Sequence, residues 1–167
     1  CYAAALAESG LAFDMLFGPA YKGIPLVSAC AIAFAEHQGR NLPVAFNRKE
    51  AKDHGEAGLI VGSAIAGRVV IVDDVITAGT AIRESIELIR AAGAQPVAIA
   101  LALDRQERGL GAASAVQEVK AEFGLECVSL LTLGGLIEAL EARKVGGLEP
   151  AQLAGLRNYR QKFGVAP

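Results

Sequence analysis

Four consecutive branched aliphatic residues, Val69-Val70-Ile71-Val72, run directly into two aspartates, Asp73-Asp74. A run with no polar face suits a strand buried on both sides, and such strands belong to parallel sheets covered by helices. Elsewhere short apolar runs alternate with segments of helical period. The pattern predicts an α/β fold with a mostly parallel sheet flanked by helices. Strands are expected at Phe13 to Phe17, Val44 to Phe46, Val69 to Val72, Val97 to Leu103 and Val128 to Leu133. Helices are expected at 2–8, from Pro25 to about His37, around Ile82, Ile86 and Ile89, and around Val116, Val119 and Phe123. Two more should follow Leu136, broken around Val145-Gly146-Gly147. No repeat, linker or low-complexity tract interrupts the chain, so a single domain spanning 1–167 is expected.

Charge excludes several functions. Sixteen Lys+Arg against eighteen Asp+Glu give a net charge of -2, without the basicity that draws a chain to nucleic acid or anionic membranes. The longest uncharged stretches, Gly23 to Ala35 and Ala91 to Leu103, are too short to span a bilayer. Cys1, Cys30 and Cys127 form neither a disulfide framework nor a C-x-x-C motif, which predicts a cytoplasmic location. The P-loop, G-x-G-x-x-G and H-E-x-x-H patterns are all missing from the sequence.

In a parallel sheet, ligands bind beyond the carboxyl ends of the strands. The residues at those positions are Tyr21 and Lys22, then Arg48 and Lys49, then Asp73 and Asp74, and finally Asp104 and Arg105. Thr77-Ala78-Gly79-Thr80 follows the acidic pair and opens a helix. Small residues there let backbone N–H groups reach a phosphate, although an ordinary strand-to-helix turn has the same composition. The carboxylates suit ribose hydroxyls or a divalent cation, or are solvated turn acids. The polar stretch from Asn47 to Gly58, which contains Lys52 and His54, is either a lid or a solvated surface loop.

Val69–Ala81, VVIVDDVITAGTA, resembles the phosphoribosyl pyrophosphate (PRPP) motif of type I phosphoribosyltransferases. FGPAYKGIPL (Phe17–Leu26), FNRKEAKDHGE (Phe46–Glu56) and LDRQERG (Leu103–Gly109) are similar to the bacterial orotate phosphoribosyltransferase branch of that family. The likeness extends over essentially the whole chain. It implies a type I phosphoribosyltransferase fold with a flexible active-site lid. It also implies transfer of the phosphoribosyl group of PRPP to orotate, giving orotidine 5′-monophosphate and pyrophosphate in UMP biosynthesis.

The same resemblance implies roles for individual residues. The PRPP site would comprise Tyr21, Lys22, Arg48, Lys49, Lys52, His54, Asp73, Asp74, Val75, Ile76 and the phosphate loop Thr77, Ala78, Gly79, Thr80 and Ala81. Tyr21 and Lys22 would hold pyrophosphate from a turn that often has a cis peptide at the equivalent of Ala20-Tyr21. Lys52, His54, Asp73 and Asp74 would be catalytic: the aspartates face the ribose, and His54 donates a proton to pyrophosphate. Thr77 and Arg105 would contact orotate. Mg²⁺ is the implied cofactor, held mainly through PRPP with no direct protein ligand. The lid, Arg48 to His54, would reach partly into the neighbouring subunit of a homodimer. The family also carries an N-terminal segment over the orotate site that nothing here represents, so that part is expected to be absent before Cys1. Two rivals fit less well. A purine phosphoribosyltransferase would keep Asp73 to Thr80 without the lid and Arg105, and a PRPP-sensing regulator would have no use for a cationic lid.

Overall fold

The computed structural model describes residues 1–49, 58–109, 111–142 and 149–165. In chain order the elements are α1 (Tyr2–Glu8), β1 (Met15–Gly18), α2 (Gly23–Gln38), β2 (Val44–Asn47), β3 (Ile60–Gly62) and β4 (Arg68–Asp73). They continue with α3 (Thr80–Ala91), β5 (Gln95–Asp104), α4 (Ala115–Phe123), β6 (Glu126–Thr132), α5 (Leu133–Glu141) and α6 (Pro150–Phe163). The sheet order is β3-β2-β1-β4-β5-β6. Every neighbouring pair is parallel except β2 and β3, so the expected mostly parallel α/β architecture is present.

The aliphatic run lies in β4, with Val69, Val70, Ile71 and Val72 all at 0% exposure. Alternation along the strand splits the run between two cores. Val69 and Ile71 join Met15, Phe17, Ile99, Leu101 and the helical stripe Ile82, Ile86 and Ile89. Val70 and Val72 join Leu16 of β1 and Leu6, Val27, Cys30 and Phe34 from the inner faces of α1 and α2. β5 gives this second layer the buried Ala98 and Ala100, with Val97 packed partly buried against it. Burying one such aliphatic side chain contributes about 1.5–3 kcal/mol.

Several boundaries differ from the sequence expectation. The first strand begins at Met15, and Phe13 instead packs edge-on against Phe34 at 5.6 Å between ring centres. α2 starts two residues before Pro25, still within the first turn, where backbone donors have no helical acceptor and a missing N–H costs little. Leu133 belongs to α5, because the Thr132 side chain accepts a hydrogen bond from Gly135 N and ends the strand there. β3 was not anticipated: three residues are too few for a periodic signal. The expected break around Val145 lies outside the described residues.

Among the described residues no helix is long and apolar enough to cross a membrane. All three cysteines are free.

The division into two cores makes α3 the main cover of one face. Ile86→Ala is expected to cost about 2–5 kcal/mol. Urea denaturation should show a lower midpoint with an unchanged m-value; a loss under 1 kcal/mol would mean that the face is covered in some other way.

Candidate active site

β1, β2, β4 and β5 are parallel, so their carboxyl ends meet along one edge of the sheet. β4 ends in Asp73, which is only 9% exposed. Its Oδ1 accepts a hydrogen bond from Asp74 N at 2.9 Å. Its carbonyl oxygen accepts one from the Tyr2 hydroxyl at 2.7 Å. Burial, reinforced by the neighbouring Asp74 charge, pushes the Asp73 carboxyl up to about 6. Burial also acts on Tyr2, with help from both aspartates, and pushes its hydroxyl up to about 12, so it remains a donor.

Asp74 is a different kind of carboxylate. Lys22 Nζ approaches its Oδ2 to 2.5 Å. Burial works against its charge, but the Lys22 ammonium and the Val75 N–H hold it below the usual carboxylate range. The same hydrogen bond raises Lys22. One acid is thus held reluctant to ionise and the other is fixed as an anion beside a cation. The expectation that both might be solvated turn acids does not describe Asp73.

Lys22 comes from the turn between β1 and α2. That turn contains a cis peptide at Ala20-Tyr21, the position expected from the sequence. Ala20 N donates to Asn47 Oδ1 at 2.8 Å, tying the turn to the end of β2. Gly23 closes the turn against β4: a Cβ there would lie 2.6 Å from Pro19 Cδ and 2.9 Å from Val72 O. Only glycine allows that approach. Tyr21 projects outward, 70% exposed, with Lys49 Nζ 5.8 Å from its ring centre.

After Asp74 the chain passes Val75 and the buried Ile76, whose side chain joins the core beneath α3. Ile76 therefore lends backbone and position to this edge, not a side chain. Thr77, Ala78 and Thr80 are exposed, and Thr80 opens α3. Gly79 precedes the helix at φ 76°, a left-handed conformation that favours glycine. The loop presents hydroxyls and the free N–H groups of a helix start, an arrangement suited to phosphate. Arg83 braces it from behind, donating to Ala78 O at 2.8 Å and to Glu122 of α4 at 2.8 and 3.0 Å.

Arg48 and Lys49 follow β2. Arg48 N donates to Leu59 O at 2.7 Å and Asn47 pairs with Ile60, so both ends of the polar stretch are joined by the β2–β3 hairpin. Lys52 and His54 lie outside the described residues. On the other side of β4, Arg105 follows β5. Its Nη2 is 3.0 Å from Glu107 Oε2, while its Nε is buried and lacks an acceptor among the described residues.

These described residues therefore share one edge: the Tyr21–Lys22 turn, Arg48 and Lys49, the Asp73–Asp74 pair, the Thr77–Ala81 loop and Arg105. Sequence reasoning missed Tyr2, Asn47, Arg83 and Glu107. Tyr2, Asn47 and Glu107 act through contacts 71, 27 and 52 residues away in the chain, for which no local pattern exists. Arg83 lies in the first turn of the helix that Gly79 precedes. Its i−4 relation to Gly79 was the available signal.

Among the described residues no cluster of three His, Cys, Asp or Glu side chains is suited to a metal ion. The donor set at the edge is two carboxylates, one already paired with Lys22. That set fits a magnesium ion whose remaining ligands come from a polyphosphate substrate, since Mg²⁺ commonly keeps few protein ligands.

Comparison with known proteins agrees with this geometry. Residues 2–124 match the family model "Phosphoribosyl transferase domain". The orotate phosphoribosyltransferase of Thioalkalivibrio sulfidiphilus is 63% identical over 164 residues, 98% of this chain and 76% of that protein. Among solved structures, the orotate phosphoribosyltransferase of Francisella tularensis is similar with a TM-score of 0.81 and 33% identity, covering 98% of this chain and 76% of the other. The Mycobacterium tuberculosis orotate phosphoribosyltransferase in complex with PRPP is similar with a TM-score of 0.62 and 25% identity, over 80% of this chain and 70% of that one. With these relatives the assignment is plain: the chain belongs to the phosphoribosyltransferase family, in its orotate phosphoribosyltransferase branch.

Proposed function

We infer that the sheet edge described above is the active site of this transferase and that residues 1–167 form one phosphoribosyltransferase domain. The chain transfers the phosphoribosyl group of PRPP to orotate, giving orotidine 5′-monophosphate and pyrophosphate in pyrimidine biosynthesis. The observation that carries the assignment of the site is the meeting of three parts at the end of β4. These are a carboxylate pair whose first member is buried, the lysine-bearing turn of β1 and the hydroxyl-rich loop that opens α3.

In this reading the 5′-phosphate sits on Thr77 to Ala81, and Val75 and Ile76 supply the backbone that leads into that loop. Asp73 and Asp74 face the ribose hydroxyls. Tyr21 and Lys22 hold the pyrophosphate, and Lys22 divides its charge between Asp74 and the ligand. Thr77 and Arg105 hold orotate. A guanidinium suits the planar carboxylate of that base.

The orotate nitrogen forms the new bond to the anomeric carbon as the bond to pyrophosphate breaks, with inversion. Positive charge develops on the ribose ring, and the carboxylates of Asp73 and Asp74 oppose it. Negative charge develops on the leaving group, where Arg48, Lys49 and Lys52 meet it and His54 donates a proton. When bound with PRPP, Mg²⁺ supplies further neutralisation of the leaving pyrophosphate. Closure of the lid excludes water from the ribosyl cation. The resemblance to the family supports a homodimer in which lid residues serve the neighbouring subunit. Three free cysteines support a reducing, cytoplasmic location.

Turnover of PRPP and orotate with Mg²⁺, followed by loss of orotate against a Mg²⁺-free control, tests the reading as a whole. Absence of turnover while PRPP still binds would reject it. Lys52→Ala is expected to lower kcat about 10²- to 10³-fold with PRPP binding intact, the usual loss for one electrostatic donor. Unchanged turnover would remove Lys52 from the lid. Arg105→Ala is expected to raise the orotate KM about 10- to 100-fold, the scale of hydrogen bonds to a charged group. An unaltered KM would take Arg105 out of the base site.

Asp73 gives a prediction with a pH sign. The folded protein keeps its proton until about pH 6, whereas an ordinary carboxyl loses it near 3.8. Stability therefore falls as pH rises between those values and stays lower above them. Asp73→Asn removes that cost, and its amide oxygen can still accept the Asp74 N–H. Without ligand, the variant should be more stable than the parent by about 1–3 kcal/mol near pH 8, with the gain gone near pH 4. Its kcat should fall. Urea denaturation at both pH values checks this, and an equal difference at both would show that Asp73 does not hold its proton.

A further inference from the structure

α6 presents a puzzle of packing. It is fourteen residues long, yet none of them is fully buried. Apolar burial therefore does not account for its docking. Its C-terminal end is instead bonded to the segment that follows β5. Arg108 N donates to Phe163 O at 3.0 Å and Val165 N donates to Gln106 O at 2.9 Å. Glu107 and Gly164 form an antiparallel bridge. Arg108 Nη2 donates to Lys162 O at 2.5 Å. α5 adds a further tie, with Gly134 N donating to Gln106 Oε1 at 2.8 Å. The segment so held is Gln106 to Arg108, immediately after Arg105.

Side chains complete the connection. The Tyr159 hydroxyl, from the middle of α6, donates to Glu107 Oε1. The other oxygen of the same carboxylate, Oε2, lies 3.0 Å from Arg105 Nη2. The Glu107 side chain is 17% exposed, so solvent weakens this pair less than an open surface ion pair. Tyr159 is also stacked against Phe163 at 4.9 Å, which limits the freedom of its ring. Glu107 raises the Tyr159 hydroxyl above its ordinary range, so it stays protonated and donates.

We propose that Tyr159 and Glu107 are positioning residues for orotate: Tyr159 orients the Glu107 carboxylate, which holds one arm of the Arg105 guanidinium and so fixes the orientation of the group that meets the base. The proposal rests on the assignment of Arg105 to the orotate site. Arg105 contacts the base, and the other two act through it. α6 then serves as a strap that keeps the orotate side of the site in register with the PRPP side. Without the strap the guanidinium gains rotamers, and orotate binding must bear the cost of ordering it.

The test uses Tyr159→Phe, which deletes one hydroxyl and keeps the ring stack, together with Glu107→Ala, Arg105→Ala and the double variant Tyr159→Phe/Arg105→Ala. Tyr159→Phe is expected to raise the orotate KM about 3- to 10-fold, the size of one net hydrogen bond. Glu107→Ala should raise it by at least as much. In both, kcat at saturating orotate and the KM for PRPP should stay within about two-fold, the split expected when only base binding is weakened. In the double variant the Tyr159→Phe effect should disappear, because the residue acts through Arg105. If Arg105→Ala raises the orotate KM but Tyr159→Phe and Glu107→Ala do not, the relay is wrong and the base site stands. If Arg105→Ala itself leaves the orotate KM unchanged, the base-site assignment fails first. A parallel fall in kcat and rise in both KM values would mean a general loosening of the fold, and would also overturn the proposal.

Discussion

Because Val69 to Val72 are inaccessible from either face of the sheet, the next polar side chain after Arg68 along that strand stands at its carboxyl end. Asp73 appears there while still inside the protein, and its carboxyl is consequently reluctant to ionise. Asp74, one residue on, has Lys22 against it and is held charged. Two adjacent residues of one type thus acquire opposite tendencies from their surroundings. In the proposed reading a ligand that develops positive charge at this point would relieve the cost of ionising the buried acid, and stability withheld in the free protein would become available in the transition state.

In the proposed reading the cations that would meet the substrate come from three different strand ends. The Ala20 N–H on Asn47 fixes the β1 turn, and the Arg48 N–H on Leu59 closes the base of the lid segment. Arg83 holds the phosphate loop from behind through Ala78 O. This explains how a chain with a net charge of -2 handles a substrate carrying several negative charges. The field is made locally by convergence, and the rest of the surface is free to be acidic.

The parts of this arrangement legible in the sequence are those with short-range causes. The four-residue aliphatic run, the isoleucine stripe of α3 and the glycines after α2 and α4 each express a local period or a local conformational need, and β4, α3, α2 and α4 lie where expected. The site edge was legible as well, because parallel strands send every carboxyl end the same way. What was not legible depends on distant partners. β3 exists because Ile60 to Gly62 can pair with β2, not because three residues favour extension. The Asp73 carbonyl is met by Tyr2, which α1 brings to it from 71 residues earlier in the sequence. The capping box of α4 is the exception. Ser114 and Gln117 form it at a three-residue spacing visible in the chain, a local signal outside the apolar periodicity.

The two halves of the site are also held by different kinds of force. The PRPP side hangs on β1 and β4, whose ends are set by two buried cores, so displacing it means disturbing the centre of the domain. The orotate side follows β5, and beyond Asp104 the chain leaves the sheet and is kept in place by polar contacts with the exposed helix α6 and the start of α5. Hydrogen bonds near the surface exchange with water and are individually weak, whereas core packing is cooperative across many residues. The position of Arg105 is therefore the softer coordinate of the site. Substitutions at the chain's C-terminal end can alter the recognition of the base without altering that of the sugar phosphate. That separation suits a family in which the phosphoribosyl donor is common and the acceptor varies, because the variable half is attached where change costs the fold least.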